Sequence, residues 1–244
     1  MQALILAGGL GTRLRSLIND RPKPMAPVLD RPFLEYQIQF LKKYGVSEVI
    51  LCVGYLWEKI DEYFKDGKDW DITIHYAVEE TPLGTGGALK NAGQFITGPF
   101  LLLNGDSFFD MNLEAMIRFH QTAKLKAESF VGTMALTEVP DRSHYGTVEL
   151  GVGHSITAFK EKSPEEKGPG LINAGIYLLE QEVLAQIPSG SKLSLEREVF
   201  PALLNEGFNL AGYSAKGYFV DIGTPEGFYK FEEYLKEAEY DYQE

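Results

Sequence analysis

The chain has little with which to cross-link itself, bind zinc or grip a polyanion. Its one cysteine excludes an intramolecular disulfide and fits a reducing compartment, and four scattered histidines add no zinc cluster. Cys52 sits inside the apolar run EVILCVGY, so a packed core thiol is expected rather than a nucleophile. No apolar run reaches 18 residues, and the first residues lack a charged stretch and a small-residue cleavage site. A soluble, cytoplasmic protein is therefore expected. Basic side chains are outnumbered, 23 Lys and Arg against 35 Asp and Glu, for a formal charge of −12. That balance argues against nucleic acid or an anionic membrane as a partner. There is no linker, low-complexity tract or internal repeat, and no hexapeptide β-helix repeat. The 244 residues, 44% hydrophobic, are expected to form a single domain, 1–244. A homo-oligomer stays open.

What is present is a regular alternation. QALILA (2–7), EVILCV (48–53), ITIHYAV (72–78) and PFLLLNGD (99–106) are apolar runs suited to buried parallel strands. Between them lie helical patterns: one opened by Pro32 with Phe33, Leu34, Ile38 and Leu41 on its buried side, then WEKIDEYF, then TGGALKNAG. The expected fold is α/β, with helices flanking a parallel sheet. After residue 129 the strand-like runs SFVGTMAL, YGTVEL, SITAFKE and LINAGIYLL follow one another through turns, which predicts mixed or antiparallel strands extending the sheet. SLEREVFPALLNEG and TPEGFYKFEEYLKEAEY are helical, the latter with Thr224 as N-cap and Pro225 at its first position.

The opening strand stops at LAGGLGTRL, with glycines at 8, 9 and 11. Glycine lets backbone amides converge on an anion, and a helix N-terminus adds a favourable dipole. The third glycine position of a dinucleotide fingerprint holds Leu14, and no Gly-Lys-Ser/Thr completes an ATPase phosphate loop. Spacing alone leaves a tight strand-to-helix turn equally open. Cations tilt the balance: Arg13 can fork two phosphate oxygens, and Lys23, between Pro22 and Pro24, is a point charge on a stiff segment. An acidic chain that gathers amides and cations at one place is built to hold a polyphosphate.

Two aspartates stand at strand ends. Asp106 closes LLLNGD, on the rim where open α/β sheets place ligands, and Asp221 in YFVDIGT separates a strand from a helix start. Each alone reads as a turn or cap residue. Together, two hard oxygen ligands plus triphosphate oxygens match the way Mg²⁺ is held.

GG-x-G-T-R-L followed by K-P-M, with the G-D and D-x-G-T aspartates behind them, resembles the sugar-phosphate nucleotidylyltransferases over essentially the whole chain. That resemblance implies a Rossmann-like, mixed but mainly parallel sheet flanked by helices, with no β-helix domain. It also implies Mg²⁺ on Asp106 and Asp221, and a nucleoside triphosphate and a sugar 1-phosphate as substrates. Residues 1–128 would mainly bind nucleotide and 129–244 mainly sugar phosphate. Leu6, Ala7, Gly8, Gly9, Gly11 and Thr12 would cradle the nucleotide, with Arg13, Lys23 and Asp106 as the catalytic residues. EETPLGTGGALK would lie over the base, bringing Glu79, Glu80, Pro82, Gly84 and Thr85 to it. On the sugar side, AFKEKSP and INAGIY match E-K-P and N-x-G-x-Y, with Ser163 in place of the proline. Glu161 would accept from sugar hydroxyls, Lys162 grip the phosphate, and Asn173 and the backbone of Gly146 contact the sugar, alongside Asp221. Lys160 and Glu166 stay in a solvated charge run.

Glu79 or Glu80 stands where many uridylyl- and thymidylyltransferases carry glutamine. A carboxylate can accept from both N1–H and the 2-amino group of guanine, whereas uracil or thymine offers one N–H, which favours GTP. TGGALK also resembles uridylyltransferases acting on N-acetylmuramate phosphate. The stretches RLRSLINDRPKPMAPVLDRPFLEYQIQFLKKYG and EETPLGTGGALKNA look most like the branch that guanylylates D-glycero-α-D-manno-heptose 1-phosphate for cell-surface polysaccharides. Mannose 1-phosphate, or uridylyl or thymidylyl transfer to another hexose 1-phosphate, is the alternative. An oxidoreductase would need the missing third glycine, and a metal-dependent glycosyltransferase an Asp-x-Asp where Ser107 and Phe108 follow Asp106. A non-catalytic sensor should have lost a cation or carboxylate that this chain keeps.

Overall fold

The computed structural model describes residues 1–9, 14, 20–160, 162–163, 165 and 167–238. The first part runs β1 (Gln2–Leu6), a short ribbon of β2 (Pro27–Val28) and β3 (Arg31–Pro32), α1 (Phe33–Lys43), β4 (Glu48–Val53), α2 (Glu58–Phe64), β5 (Thr73–Val78), α3 (Gly84–Ala92) and β6 (Phe100–Asn104). It continues with β7 (Ser107–Met111), α4 (Leu113–Lys124), β8 (Phe130–Val139), β9 (Thr147–Leu150), β10 (Ile156–Lys160) and β11 (Gly170–Leu179). A π-helical turn at Leu195–Val199 leads into α5 (Phe200–Asn205), β12 (Asn209–Ser214), β13 (Gly217–Asp221) and α6 (Pro225–Glu237). Among the described residues no helix is long and apolar enough to cross a membrane.

Seven strands form the central sheet in the order β12-β8-β11-β6-β1-β4-β5. β1 is parallel to β4 and β6, β4 to β5, and β12 to β8, whereas β11 runs antiparallel to both β6 and β8. This is the expected α/β architecture with a mixed, mainly parallel sheet. One expectation is corrected: YGTVEL and SITAFKE do not extend the sheet, because β9 and β10 form an antiparallel ribbon of their own. Apart from Thr147 and Ile156 their residues are half-buried or exposed, which suits a one-sided ribbon and not a sheet covered on both faces. β7, α4 and β12 were not anticipated, and SLEREVF opens as a π turn rather than an α-helix.

Both faces of the sheet are buried, and successive residues serve opposite sides. Ala3 and Ile5 of β1, with Leu101 and Leu103 of β6, pack beneath α1 and α6. Leu4, Phe100 and Leu102 face the other way, onto Leu89 of α3 and Phe200 of α5. Phe231 of α6 has its ring 5.3 Å from Phe33, 5.5 Å from Tyr36 and 4.9 Å from Phe108. Burying such a ring contributes about 1.5–3 kcal/mol. It ties down the helix that starts just after Asp221. As expected, Thr224 caps that helix by accepting from the Gly227 N–H at 3.1 Å, with Pro225 as its first residue.

Candidate active site

The backbone ladder continues one residue past the parallel strands. Ala7 N–H donates to the Cys52 carbonyl at 2.8 Å, Glu79 N–H to Val53 at 2.8 Å and Gly105 N–H to Leu6 at 3.1 Å. Gly8, Glu79 and Asp106 therefore emerge side by side at the carboxyl rim of the sheet. They border a cleft of about 400 Å³, whose lining also includes Leu6, Gly9, Lys23, Pro82, Gly84 and Thr85. So nine of the expected nucleotide residues share one wall. Ala7 is instead buried in the ladder, and Glu80 is exposed and outside that lining. Gly11, Thr12, Arg13 and Glu161, together with Glu166, lie outside the described residues.

Of the two glutamates, Glu79 is the one in the cleft. Its Oε2 accepts from the Leu83 N–H at 2.8 Å, which holds the carboxylate against the loop before α3. Burial raises its pKa above the ordinary glutamate value, and the Leu83 amide works the other way. Gly84 at φ +70° needs no base to explain it, since a Cβ there would lie 2.5 Å from the Leu193 carbonyl oxygen. Cys52 forms part of the cleft floor, but its fully buried thiol donates to the Ala88 carbonyl at 3.6 Å. Desolvation pushes it far above the usual thiol range, so it is no nucleophile.

Lys23 is the hub. Pro22, extended at φ −68° and ψ 151°, delivers it to a short 3₁₀ turn, and the side chain is 8% exposed. Its Nζ donates to Asp106 Oδ2 at 2.8 Å and stands 4.0 Å from Asp221 Oδ1. The antiparallel β7–β13 ribbon makes this possible, since Asp221 is opposite Ser107 and the Ile222 N–H donates to the Asp106 carbonyl at 2.9 Å. The Gly223 N–H donates to Asp221 Oδ1 at 2.6 Å and fixes that carboxylate. Among the described residues no group of three or more His, Cys, Asp or Glu side chains is disposed to hold a metal.

A second pocket of about 280 Å³ shares Asn104 and Asp106 with the cleft and brings together Gly146, Lys162, Asn173 and Asp221. A third, of about 390 Å³, continues from it through Gly146, Asn173, Glu196 and Arg197. Lys160 borders this last pocket, is exposed, and pairs with the exposed Glu149 at 2.8 Å. Glu196 and Arg197 escaped sequence reading. The signal that could have found them is Pro201 within a helical run: it has no N–H for the Arg197 carbonyl, and interrupted ladders of this kind cluster at functional sites.

Residues 2–238 match the family model described as nucleotidyl transferase. The chain belongs to that family. Two relatives carry the name D-glycero-α-D-manno-heptose 1-phosphate guanylyltransferase. The protein from Campylobacter jejuni is 43% identical over 234 residues, spanning 95% of this chain and 98% of its own. That from Aneurinibacillus thermoaerophilus is 37% identical over 238 residues, 97% and 99% of the two chains. Among solved structures, HddC from Yersinia pseudotuberculosis superposes with a TM-score of 0.82 at 31% identity, covering 96% of this chain and 99% of that one. Its complex with GMP-PN gives 0.80. For a nucleotidyl transferase the arrangement has a direct chemical sense: one cleft sized for a nucleotide, one polar pocket beside it, and a buried cation with two carboxylates where they join.

Proposed function

We propose that the protein transfers the guanylyl group of GTP to D-glycero-α-D-manno-heptose 1-phosphate, giving a GDP-heptose and pyrophosphate. The observation carrying this reading is the Lys23–Asp106–Asp221 cluster at the junction of the two pockets. A phosphate oxygen of the sugar phosphate, already anionic at neutral pH, attacks the α-phosphorus of GTP. That P–O bond forms as the bond to the bridging oxygen of the β-phosphate breaks, and the electron pair leaves with pyrophosphate. No serine, cysteine or histidine nucleophile is needed. The rate rests on in-line positioning and on fixed charge at the α-phosphate and leaving group.

In this reading Lys23 faces the triphosphate, while Lys162, exposed in the second pocket, holds the attacking phosphate. Asn173 and Gly146 meet the sugar, and Glu79 accepts from the guanine edge with the lone pairs that Leu83 leaves unused. The two carboxylates of the cluster outnumber its ammonium by one negative charge and are hard oxygen donors, so a divalent cation fits. Bound by Asp106 and Asp221, Mg²⁺ would supply charge neutralisation at the α-phosphate. Guanine and heptose are supported by the relatives' names, and the cytoplasm by the lone buried cysteine.

The test is a pyrophosphate-release matrix crossing GTP, UTP and dTTP with heptose, mannose, glucose and N-acetylmuramate 1-phosphates in the presence of Mg²⁺. GTP with the heptose phosphate should give the highest kcat/KM. A clear preference for UTP, or for mannose 1-phosphate, would overturn the substrate assignment.

A further inference from the structure

The carboxylate of Glu196 lines both sugar-side pockets, yet its hydrogen bonds reach back to the nucleotide cleft. Oε2 accepts from Thr85 Oγ1 at 3.3 Å and from Ser194 Oγ at 3.1 Å. Thr85 is the second residue of α3, in the lining of the nucleotide cleft, and its Oγ1 accepts from the Leu195 N–H at 2.8 Å. On the other side, Glu196 Oε1 accepts from the Tyr177 hydroxyl at 2.9 Å, which accepts from Asn173 Nδ2 at 2.7 Å. The Gly175 N–H donates to Asn173 Oδ1 at 2.9 Å, and since a backbone N–H can only donate, the orientation of that amide is settled. Each hydroxyl thus spends its single proton on Glu196 and receives one bond from behind. Three directional chains converge on one carboxylate, the third running from the Arg197 N–H, which donates to Ser194 Oγ at 3.3 Å.

The ends of this path lie in different pockets. Tyr177 is 0% exposed, and burial beside Glu196 pushes its hydroxyl well above the usual tyrosine range, so it stays a donor. Hydrogen bonds linked in series in such surroundings polarise one another, so a loss at one end is felt at the other.

We propose that Glu196 is a positioning residue that couples the nucleotide cleft to the sugar-phosphate pocket, passing changes at Thr85 through Tyr177 to Asn173. This rests on the reading of the two pockets given above. Binding coupling is reciprocal: a nucleotide that orders the start of α3 tightens sugar-phosphate binding by the same factor that sugar phosphate tightens nucleotide binding.

The test uses Thr85→Val, which keeps the shape and removes the hydroxyl, Thr85→Ser, which restores it, and Tyr177→Phe. At saturating GTP, Thr85→Val should raise the sugar-phosphate KM about 5-fold or more while kcat changes less, with Thr85→Ser close to wild type. Tyr177→Phe should act likewise, and the double variant should fall well short of the product of the two effects. A sugar-phosphate KM for Thr85→Val within about twofold of wild type, or effects that simply multiply, would overturn the coupling. A substrate-free readout runs in parallel: hydrogen exchange at the Gly175 amide should quicken in Thr85→Val, and unchanged exchange also overturns the proposal. Should the wild-type protein release no pyrophosphate from any substrate pair, the proposed reaction fails, and the exchange measurement alone decides the coupling.

Discussion

Replacing Lys23 by alanine should separate catalysis from stability. Its ammonium is 2.8 Å from Asp106 and 4.0 Å from Asp221. At an effective dielectric constant of about 20, contacts at those distances are worth roughly 4–6 kcal/mol each before desolvation. The fold keeps little of that. Asp106 is 43% exposed, so water re-solvates it once the lysine is gone, and removing a buried ammonium recovers its own desolvation penalty. A net loss of about 1 kcal/mol or less follows, which for a chain of this size moves Tm by about 2–4 °C. Catalysis has no such refuge, because a charge held ready for the α-phosphate is typically worth about 100- to 1,000-fold in kcat. The variant should also need less Mg²⁺ for half-saturation, since two carboxylates then face the ion without a competing ammonium. Pyrophosphate release with a Mg²⁺ titration, alongside a thermal melt, reads all three. A kcat within about tenfold of wild type at unchanged Tm would refute the argument, and so would collapse of the fold.

Asp221→Asn keeps an acceptor for the Gly223 amide but loses the charge, so pyrophosphate release should fall by about 100-fold or more while circular dichroism stays unchanged; activity within threefold of wild type would remove Asp221 from the site. Because burial raises the pKa of Glu79, the folded state holds that proton more tightly than the unfolded chain, and this contribution to stability declines as pH rises from the ordinary value of 4.5 through the raised one. Glu79→Gln should abolish that decline in denaturation curves measured across pH, and should narrow the GTP-over-UTP preference about tenfold, an idea lost if both stay as in wild type. Gly175→Ala introduces a Cβ 2.7 Å from Asn104 Nδ2 at a residue with φ +72°, and urea denaturation should show a loss of about 1–3 kcal/mol, unchanged stability being the contrary result.

Much of this molecule was legible in the sequence because its parallel strands are buried on both faces. QALIL, EVILCV and FLLLN are apolar without alternation, and punctuation by proline and glycine set their ends. Lys23, Asp106 and Asp221 were legible as types at strand ends, but their meeting depends on β7 pairing with β13, a contact between distant segments that leaves no local mark. The misassigned ribbon β9–β10 shows the same limit: a half-exposed strand pattern does not say which edge it joins. Glu196 was illegible for another reason. In SLEREVF it is one of three carboxylate or guanidinium side chains in a row, and only the π turn and the neighbouring Tyr177 hydroxyl single it out.

The reversed strand β11, wedged between β6 and β8, has a consequence for how such an enzyme changes its preferences. Reversal brings the beginning of one strand level with the end of its neighbour, so the residues proposed to meet the acceptor and those proposed to meet the donor nucleotide crowd the same rim of one sheet. On the proposed reading, loops can therefore lengthen, shorten or be exchanged above β11 to admit a bulkier or smaller acceptor, while the sheet beneath and the proposed nucleotide seat beside it stay as they are.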